Sequence, residues 1–297
     1  MSEPAHTDVE VAIVGGGMVG ASLALALAGS GRRVALVEAV AADAAGQPSF
    51  DDRTSALGNG SRRIFEALGV WQHLQPHAGA VREIRVSDAG RFGAARLSAA
   101  EQGLDALGYV VSNRHIGAAL WQQLAAHPQI LVRCPARVLA VQLGADHVQL
   151  SVQADTDGDV SQGTCAQLLT ARVVVAADGA HSLVRSAAGI SALVEDYRQV
   201  AVVVHVATDR PAAGIAYERF TATGPLAVLP LVDGRYTVVW TVTPERATQL
   251  LALRDAEFVG ELQRGFGWRI GRIVLAGARA TYPLRLSRAD ALTGQRA

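Results

Sequence analysis

Apolar residues follow two rhythms along this 297-residue chain, and the first is set at its start. Val9, Val11, Ile13 and Val14 form a short apolar run that predicts a buried strand. An Ala- and Leu-rich segment follows, built of strong helix formers and stopped by Gly29 and Gly31. Arg33–Val37 is a second strand, and Glu38 ends it. Later elements repeat this strand–helix rhythm. A helix runs from about Ser55, with Leu57, Ile64, Phe65 and Leu68 at helical spacing, and Gly69 closes it. Asn113–Ala126 is an amphipathic helix ended by His127 and Pro128, and Arg172–Ala177 is a continuous apolar strand suited to a covered parallel sheet.

The second rhythm is alternation. Val81–Asp88 and Ala94–Leu97 alternate apolar and polar residues, as an antiparallel hairpin with one wet face does. Ile130–Arg133 feeds a meander of Ala136–Leu143, Val148–Ala154 and Cys165–Leu169, with Asp155–Asp159 as one of its turns. Beyond Gly189, strands at Val200–Val206, Gly214–Phe220, Leu226–Leu231 and Tyr236–Val242 suggest an antiparallel sheet. Pro244–Phe266 is mostly helical with Thr243 as N-cap, and Ile273–Leu275 and Ala280–Leu286 are further strands. The expected fold is α/β. A Rossmann-like domain (1–78 and 104–190), with a parallel sheet and a β-meander, is interleaved with an antiparallel-sheet domain (79–103 and 191–290).

The stretch Val9–Glu38 carries the chemistry. Gly15, Gly17 and Gly20 fall at the spacing G-x-G-x-x-G, between a strand and a helix, with an acid at the end of the next strand. Gly15 permits the turn, Gly17 lets the backbone approach a pyrophosphate, and Gly20 lets the helix lie close on the sheet. Unpaired N–H groups at the helix start attract phosphate charge. Glu38 stands where a carboxylate accepts from both hydroxyls of an adenosine ribose, and it would repel a 2′-phosphate. FAD or NAD fits; NADP does not. A transmembrane helix is the rival, since no charge occurs between Glu10 and Arg32. Three successive glycines make a poor helix centre, so that rival is set aside.

Composition narrows the function classes. Half the residues are hydrophobic, and 27 basic residues balance 27 acidic ones. Every basic residue other than His is Arg. There is no basic field for nucleic acid. Cys134 and Cys165 are too far apart for a C-x-x-C motif, and the first ten residues show no secretory signal, so a cytoplasmic protein is the expectation. No metal site is expected: His73 and His77 lack a third ligand, and Asp155, Asp157 and Asp159 lack the Glu that closes a calcium loop. Asp178, His181 and Ser182 are too close in sequence to act as a hydrolytic relay, and G-x-S-x-G is absent. Gly265, Gly267 and Gly271 follow a helix and read as turn glycines, so a second nucleotide fold is lacking.

The apolar strand at Arg172–Ala177 runs into Asp178, Gly179, Ser182 and Arg185, a D-G-x-x-S-x-x-R motif at the ligand-binding edge of a parallel sheet. A plain alternative has Asp178 only capping the next helix. With this motif downstream of a single glycine fingerprint, the chain resembles the FAD-dependent aromatic hydroxylases. SFDDRTSALGNGSRRIFEALGVW, SNRHIGAALWQQL, YERFTATGPLAVLPL and TYPLRL are similar to the ubiquinone-biosynthesis branch of that family, over essentially the whole chain. The family's usual Gly two residues before the Asp is Ala176 here.

The resemblance implies an FAD-dependent monooxygenase hydroxylating the ring of a polyprenylated phenol. FAD would be held by Gly15, Gly17, Gly20, Glu38, Arg53, Arg114, Asp178 and Gly179. Arg53 would lie by the pyrophosphate or ribityl chain. The segment Gly224–Pro230, including Pro225, would line the cavity over the flavin ring. No side-chain nucleophile is implied, and NAD(P)H would bind only transiently. Implied partners are a hydrophobic prenylphenol, a ubiquinone-biosynthesis enzyme assembly, and the periphery of the inner membrane. Two other readings remain open: a non-catalytic FAD-binding subunit and an oxidoreductase saturating isoprenoid double bonds. The family's third FAD motif would begin near Thr293–Ala297, so these residues alone are expected to hold FAD weakly and to dissolve poorly.

Overall fold

The computed structural model describes residues 8–41, 44, 47, 49–154 and 166–297. The turn expected at Asp155–Asp159 and the strand start at Cys165 lie outside them. In chain order the elements begin with β1 (Val9–Val14), α1 (Met18–Ala28), β2 (Val34–Val37), β3 (Thr54–Gly58), α2 (Asn59–Ala67) and α3 (Trp71–Leu74). They continue with β4 (Gly79–Val81), β5 (Glu83–Asp88), β6 (Ala94–Ser98), β7 (Gly108–Ser112), α4 (Asn113–Ala125), β8 (Ile130–Arg133), β9 (Ala136–Leu143) and β10 (Val148–Ala154). Then come β11 (Gln167–Ala176), α5 (Leu183–Ala187), β12 (Ala192–Thr208), β13 (Ile215–Thr221), β14 (Gly224–Pro230) and β15 (Tyr236–Val242). The last are α6 (Pro244–Ala252), α7 (Asp255–Phe266) and β16 (Ile273–Ala289).

Three sheets organise the chain. The first has the order β8-β2-β1-β11-β10-β9. Its first four strands are parallel, and β10 and β9 return antiparallel. Strand β2 is buried at all four positions, as a strand covered on both faces must be. Helices α1 and α4 cover one face through Ala21, Ala24, Leu25, Ile116, Ala119 and Leu120. The second sheet, β16-β12-β15-β14-β13-β5-β6, is antiparallel except where β13 runs parallel to β5. Its core side carries Val202, Val204, Leu226, Val228, Val238 and Trp240 against Leu250, Phe258, Leu262 and Phe266 of α6 and α7. A small third sheet, β3-β7-β4, sits with α2–α4. The α/β class with mixed sheets is therefore as expected.

Four elements differ from the expectation. Ser55–Gly58 is strand, not helix, because Ser55, Ala56 and Leu57 pair with Val111, Val110 and Tyr109 of β7. Tertiary pairing overrides local periodicity there. Helix α2 starts only at Asn59. Ile130–Arg133 does not feed the meander as a member; β8 lies parallel to β2 at the other side of the sheet. Strands expected as separate pieces are continuous: β11 runs through Thr170, and β16 pairs with β12 along most of its length across three register irregularities. The bulges hide the period, since each slip reverses the faces.

Candidate functional site

The turn after β1 is shaped by what a side chain would strike. Gly15 has φ +102°, and a Cβ there would lie 2.2 Å from the Ala177 carbonyl oxygen. A Cβ on Gly20 would lie 1.9 Å from the Gly15 carbonyl oxygen. The two glycines thus let β1, α1 and the end of β11 meet at one point. Gly17 is the N-cap of α1, with no side chain satisfying the helix's first N–H groups. No acidic residue stands in that first turn, so the positive end of α1 is open to an anion.

Glu38 comes to this turn from β2. Its Oε2 accepts from the Gly16 N–H at 2.5 Å and its Oε1 from the Val40 N–H at 2.8 Å. Two backbone donors fix the carboxylate and leave it as an acceptor surface. Asp178 arrives from the end of β11. Its Oδ2 accepts from Leu183 N–H at 2.8 Å, in the first turn of α5, while Ser182 caps the same helix through Arg185 N–H at 2.9 Å. Asp178 Oδ1 is buried without a hydrogen-bond partner. Capping uses only one of the carboxylate's oxygens; the other is left unsatisfied, a cost usually relieved by a ligand or water.

These groups line one cleft of about 410 Å³: Gly15, Gly17, Glu38, Ser49, Asp178 and Gly179. A second cleft of about 470 Å³ is lined by Gly17, Ser49 and Ala177, which the first also uses, together with Arg53 and Asn113. The two make one elongated track, from Glu38 at one end to Arg53 at the other. Its length, its crowded glycine turn and the orphaned Asp178 oxygen fit an extended dinucleotide such as FAD.

Arg53 continues into a third cavity. Its Nε donates to Asp51 Oδ1 and Oδ2 at 2.9 and 2.6 Å, and its guanidinium stands 4.5 Å over the Tyr282 ring. Burial opposes ionisation of Asp51, but hydrogen bonds and charge from Arg53 outweigh it and hold the carboxyl below its ordinary value. Arg53, Asp51, His115, His205, Arg235 and Tyr282 line this cavity of about 600 Å³. His115 accepts or donates at Ser112 Oγ (2.6 Å) and stacks on His77 at 3.9 Å. Burial, the neighbouring His77 and Arg114 push its pKa down. His77 therefore faces another histidine of α4, not His73.

Not every expected residue converges. Arg114 begins α4, but its Nε pairs with Asp52 at 3.0 Å and its side chain is 59% exposed, away from the glycine turn. Gly224 and Pro230 are at opposite ends of β14, about 20 Å apart at roughly 3.4 Å per residue. Alternation sends Leu226, Val228 and Pro230 to the side packed by helices, while Pro225, Ala227 and Leu229 take the other face. Pro230 is buried, and its carbonyl oxygen lies 2.4 Å from where a Cβ on Gly79 would stand. Sequence reasoning missed Ser49, Asn113, His205 and Tyr282. Ser49, Asn113 and Tyr282 each lay inside a family-like segment (SFDDRTSALGNGSRRIFEALGVW, SNRHIGAALWQQL and TYPLRL), whereas His205 carried no signal.

The FAD binding domain family's profile matches residues 8–285. The chain belongs to that family. It is 35% identical to ubiquinone hydroxylase UbiL of Rhodospirillum rubrum over 95% of this chain and 63% of the relative. It is 34% identical to 3-demethoxyubiquinol 3-hydroxylase of Escherichia coli over 93% of this chain and 68% of the relative. The chain thus spans about two thirds of the length of these curated relatives. Among solved structures, p-nitrophenol 4-monooxygenase PnpA of Pseudomonas putida shares the fold with a TM-score of 0.75 at 19% identity, over 98% of this chain and 71% of that one. As a member of this family the chain is an FAD-binding flavoprotein. Among the described residues, no helix is long and apolar enough to cross a membrane.

Proposed function

We propose that this protein is an FAD-dependent monooxygenase that hydroxylates the aromatic ring of a polyprenylated phenol in ubiquinone biosynthesis. The observation that carries the reading is the track from Glu38 to Arg53 opening into the cavity beneath the antiparallel sheet. Two relatives named as ubiquinone-pathway hydroxylases supply the substrate class. Glu38 holds the adenosine ribose, the Gly15–Gly17 turn and α1 hold the pyrophosphate, and Asp178 with Gly179 closes the track. Arg53, clamped by Asp51 and Tyr282, stands where cofactor and substrate cavities meet. Arg114 serves the same end from α4 only if its pairing with Asp52 is released.

Reduced FAD supplies activated oxygen from O₂ when it is bound. The chain orients the phenol and excludes water from the reacting ring. NAD(P)H is the transient donor, visiting a chain with one glycine fingerprint. A prenyl tail favours extraction from the inner-membrane surface or hand-over within an enzyme assembly, with the protein itself cytoplasmic and peripheral. The antiparallel sheet (79–103 and 191–290) is the substrate domain, and 1–78 with 104–190 the nucleotide domain. The test is mass spectrometry of a prenylphenol incubated with the full-length, FAD-loaded protein, NAD(P)H and air. One added oxygen supports the proposal. FAD binding without any product favours the non-catalytic subunit, and saturation of the tail without O₂ favours the isoprenoid reductase.

A further inference from the structure

Strand β13 carries a carboxyl on the face of the antiparallel sheet turned away from α6 and α7. Tyr217 turns toward the helices and meets Phe266 of α7 edge-on, ring centroids 5.7 Å apart. Alternation therefore turns Glu218 to the opposite face. Register extends a row from it: Glu218 pairs with Ala227, Ala227 with Val239, Val239 with Val203, and Val203 with Ala280. The row continues past Glu218 to Val86 of β5 and Ala95 of β6, so Glu218 is the one acid in a row of small or branched apolar residues across seven strands. Val203 and Ala280 line the 600 Å³ cavity that Arg53 and Tyr282 also line. The next row is bulkier, with Phe220 and, opposite Ala201, Tyr282. Strands lie about 4.8 Å apart, so the Ala227–Val239–Val203 trough is about 10 Å wide, the scale of a substituted phenol ring.

Glu218, Ala227, Val239 and Val203 are all half-buried, on the same sheet face as Ala216 and Leu229, against which the small sheet packs. Glu218 has no hydrogen-bond or ionic partner among the described residues. Burial alone raises its pKa. Strand β14 has no titratable side chain; on β5, Asp88, on the same face, is paired with Arg91, and Arg85 stands over Tyr217 on the other face. Val81 and Val110 of the small sheet pack by Ala216 and bring no charge. An unpaired half-buried carboxyl is costly unless a ligand completes it.

We propose that Glu218 accepts the ring hydroxyl of the phenol and takes its proton as the ring is attacked. This rests on the monooxygenase reading above. The substrate O–H bond breaks and a carboxyl O–H bond forms. The electron pair left on the phenol oxygen moves into the ring, whose electrons form the new carbon–oxygen bond. The oxygen comes from O₂, whose O–O bond breaks as the carbon–oxygen bond forms. The other oxygen atom leaves as water with the two electrons supplied by NAD(P)H, and the attacked carbon's C–H proton is lost to solvent as the ring regains aromaticity. A phenol ionises near pH 10 and an ordinary Glu near 4.3, so the proton moves with the attack, not before it. Burial narrows that gap and improves the base.

The test uses the full-length protein with FAD bound, and the variants E218Q and E218D. E218Q is expected to keep its FAD and melting temperature while product formation falls about 100-fold. NAD(P)H consumption then goes to hydrogen peroxide. E218D recovers part of the rate. In the wild type the rate falls as the pH drops through the raised Glu218 pKa, and E218Q lacks that acid limb. Hydroxylation by E218Q within about twofold of the wild type, with the same pH profile, overturns the assignment and leaves the reaction class standing. If E218Q loses FAD, the wild-type profile decides: no acid limb overturns the assignment. A wild type that adds no oxygen to any prenylphenol overturns the reaction class, and Glu218's role falls with it.

Discussion

The Tyr282 hydroxyl donates a 3.3 Å hydrogen bond to Asp51 Oδ2, joining residues 231 positions apart. Tyr282 belongs to the long last strand of the antiparallel sheet, and Asp51 to the segment entering β3. Arg53 completes the contact by pairing with Asp51 and lying over the Tyr282 ring. Three side chains thereby fix the seam where the Glu38–Arg53 track opens into the cavity lined by His205 and Tyr282.

Tyr282→Phe removes the hydrogen bond but keeps the ring under Arg53, and is expected to cost about 1 kcal/mol. Tyr282→Ala removes both and leaves Arg53 less fixed. Thermal melts are expected to rank wild type above Phe above Ala. FAD titration by flavin fluorescence is expected to show weakened binding only for Ala.

The Asp51 pair also predicts acid sensitivity. Burial raises the carboxyl's pKa, Arg53 lowers it more, and the net value lies below the ordinary 3.8. A depressed folded-state pKa contributes stability that is present above 3.8 and lost as pH falls through the lower folded value. Melts from pH 6 to about pH 3 are expected to show a decline that Asp51→Asn flattens, at the cost of lower stability near neutrality. Parallel curves for the two proteins would count against it.

Gly15 and Gly179 separate crowding from backbone strain. Both have positive φ, but a Cβ at Gly15 would strike the Ala177 carbonyl, whereas Gly179 has open space. Gly179→Ala is expected to cost about 1–2 kcal/mol from the left-handed backbone alone and to keep FAD. Gly15→Ala must also displace β11 or α1, so FAD content after gel filtration is expected to be lost.

Much of this site was legible because its signals are local. The G-x-G-x-x-G spacing, Glu38 at the strand end and Asp178 behind an apolar run each follow from short stretches, and the structure brings them to one cleft. The seam was not legible, since Asp51, in the loop before β3, and Tyr282, on the edge strand of a different sheet, meet only through tertiary packing. Ser55–Gly58 misled for the same reason: its helical spacing is real, but β7 claims it as strand. Glu218 hid in an alternating strand whose two faces cannot be told apart without knowing which one the helices cover. Pro230 failed for that reason too, since β14 sends it to the opposite side from Pro225.

Glu38 provides a sharper test of the nucleotide end. Glu38→Ala removes the acceptor of both the Gly16 and Val40 N–H groups, so it is expected to weaken FAD at least tenfold. Glu38→Gln keeps one acceptor and is expected to fall between. Calorimetric titration with FAD checks the order.

A crystal structure of the full-length protein with FAD is the most direct measurement. The account predicts the ribose hydroxyls on the Glu38 carboxylate, the pyrophosphate at Gly15–Gly17 and the start of α1, and Asp178 Oδ1 within hydrogen-bond distance of the nucleotide. FAD seated away from that turn, with Asp178 Oδ1 still unpartnered, would contradict it.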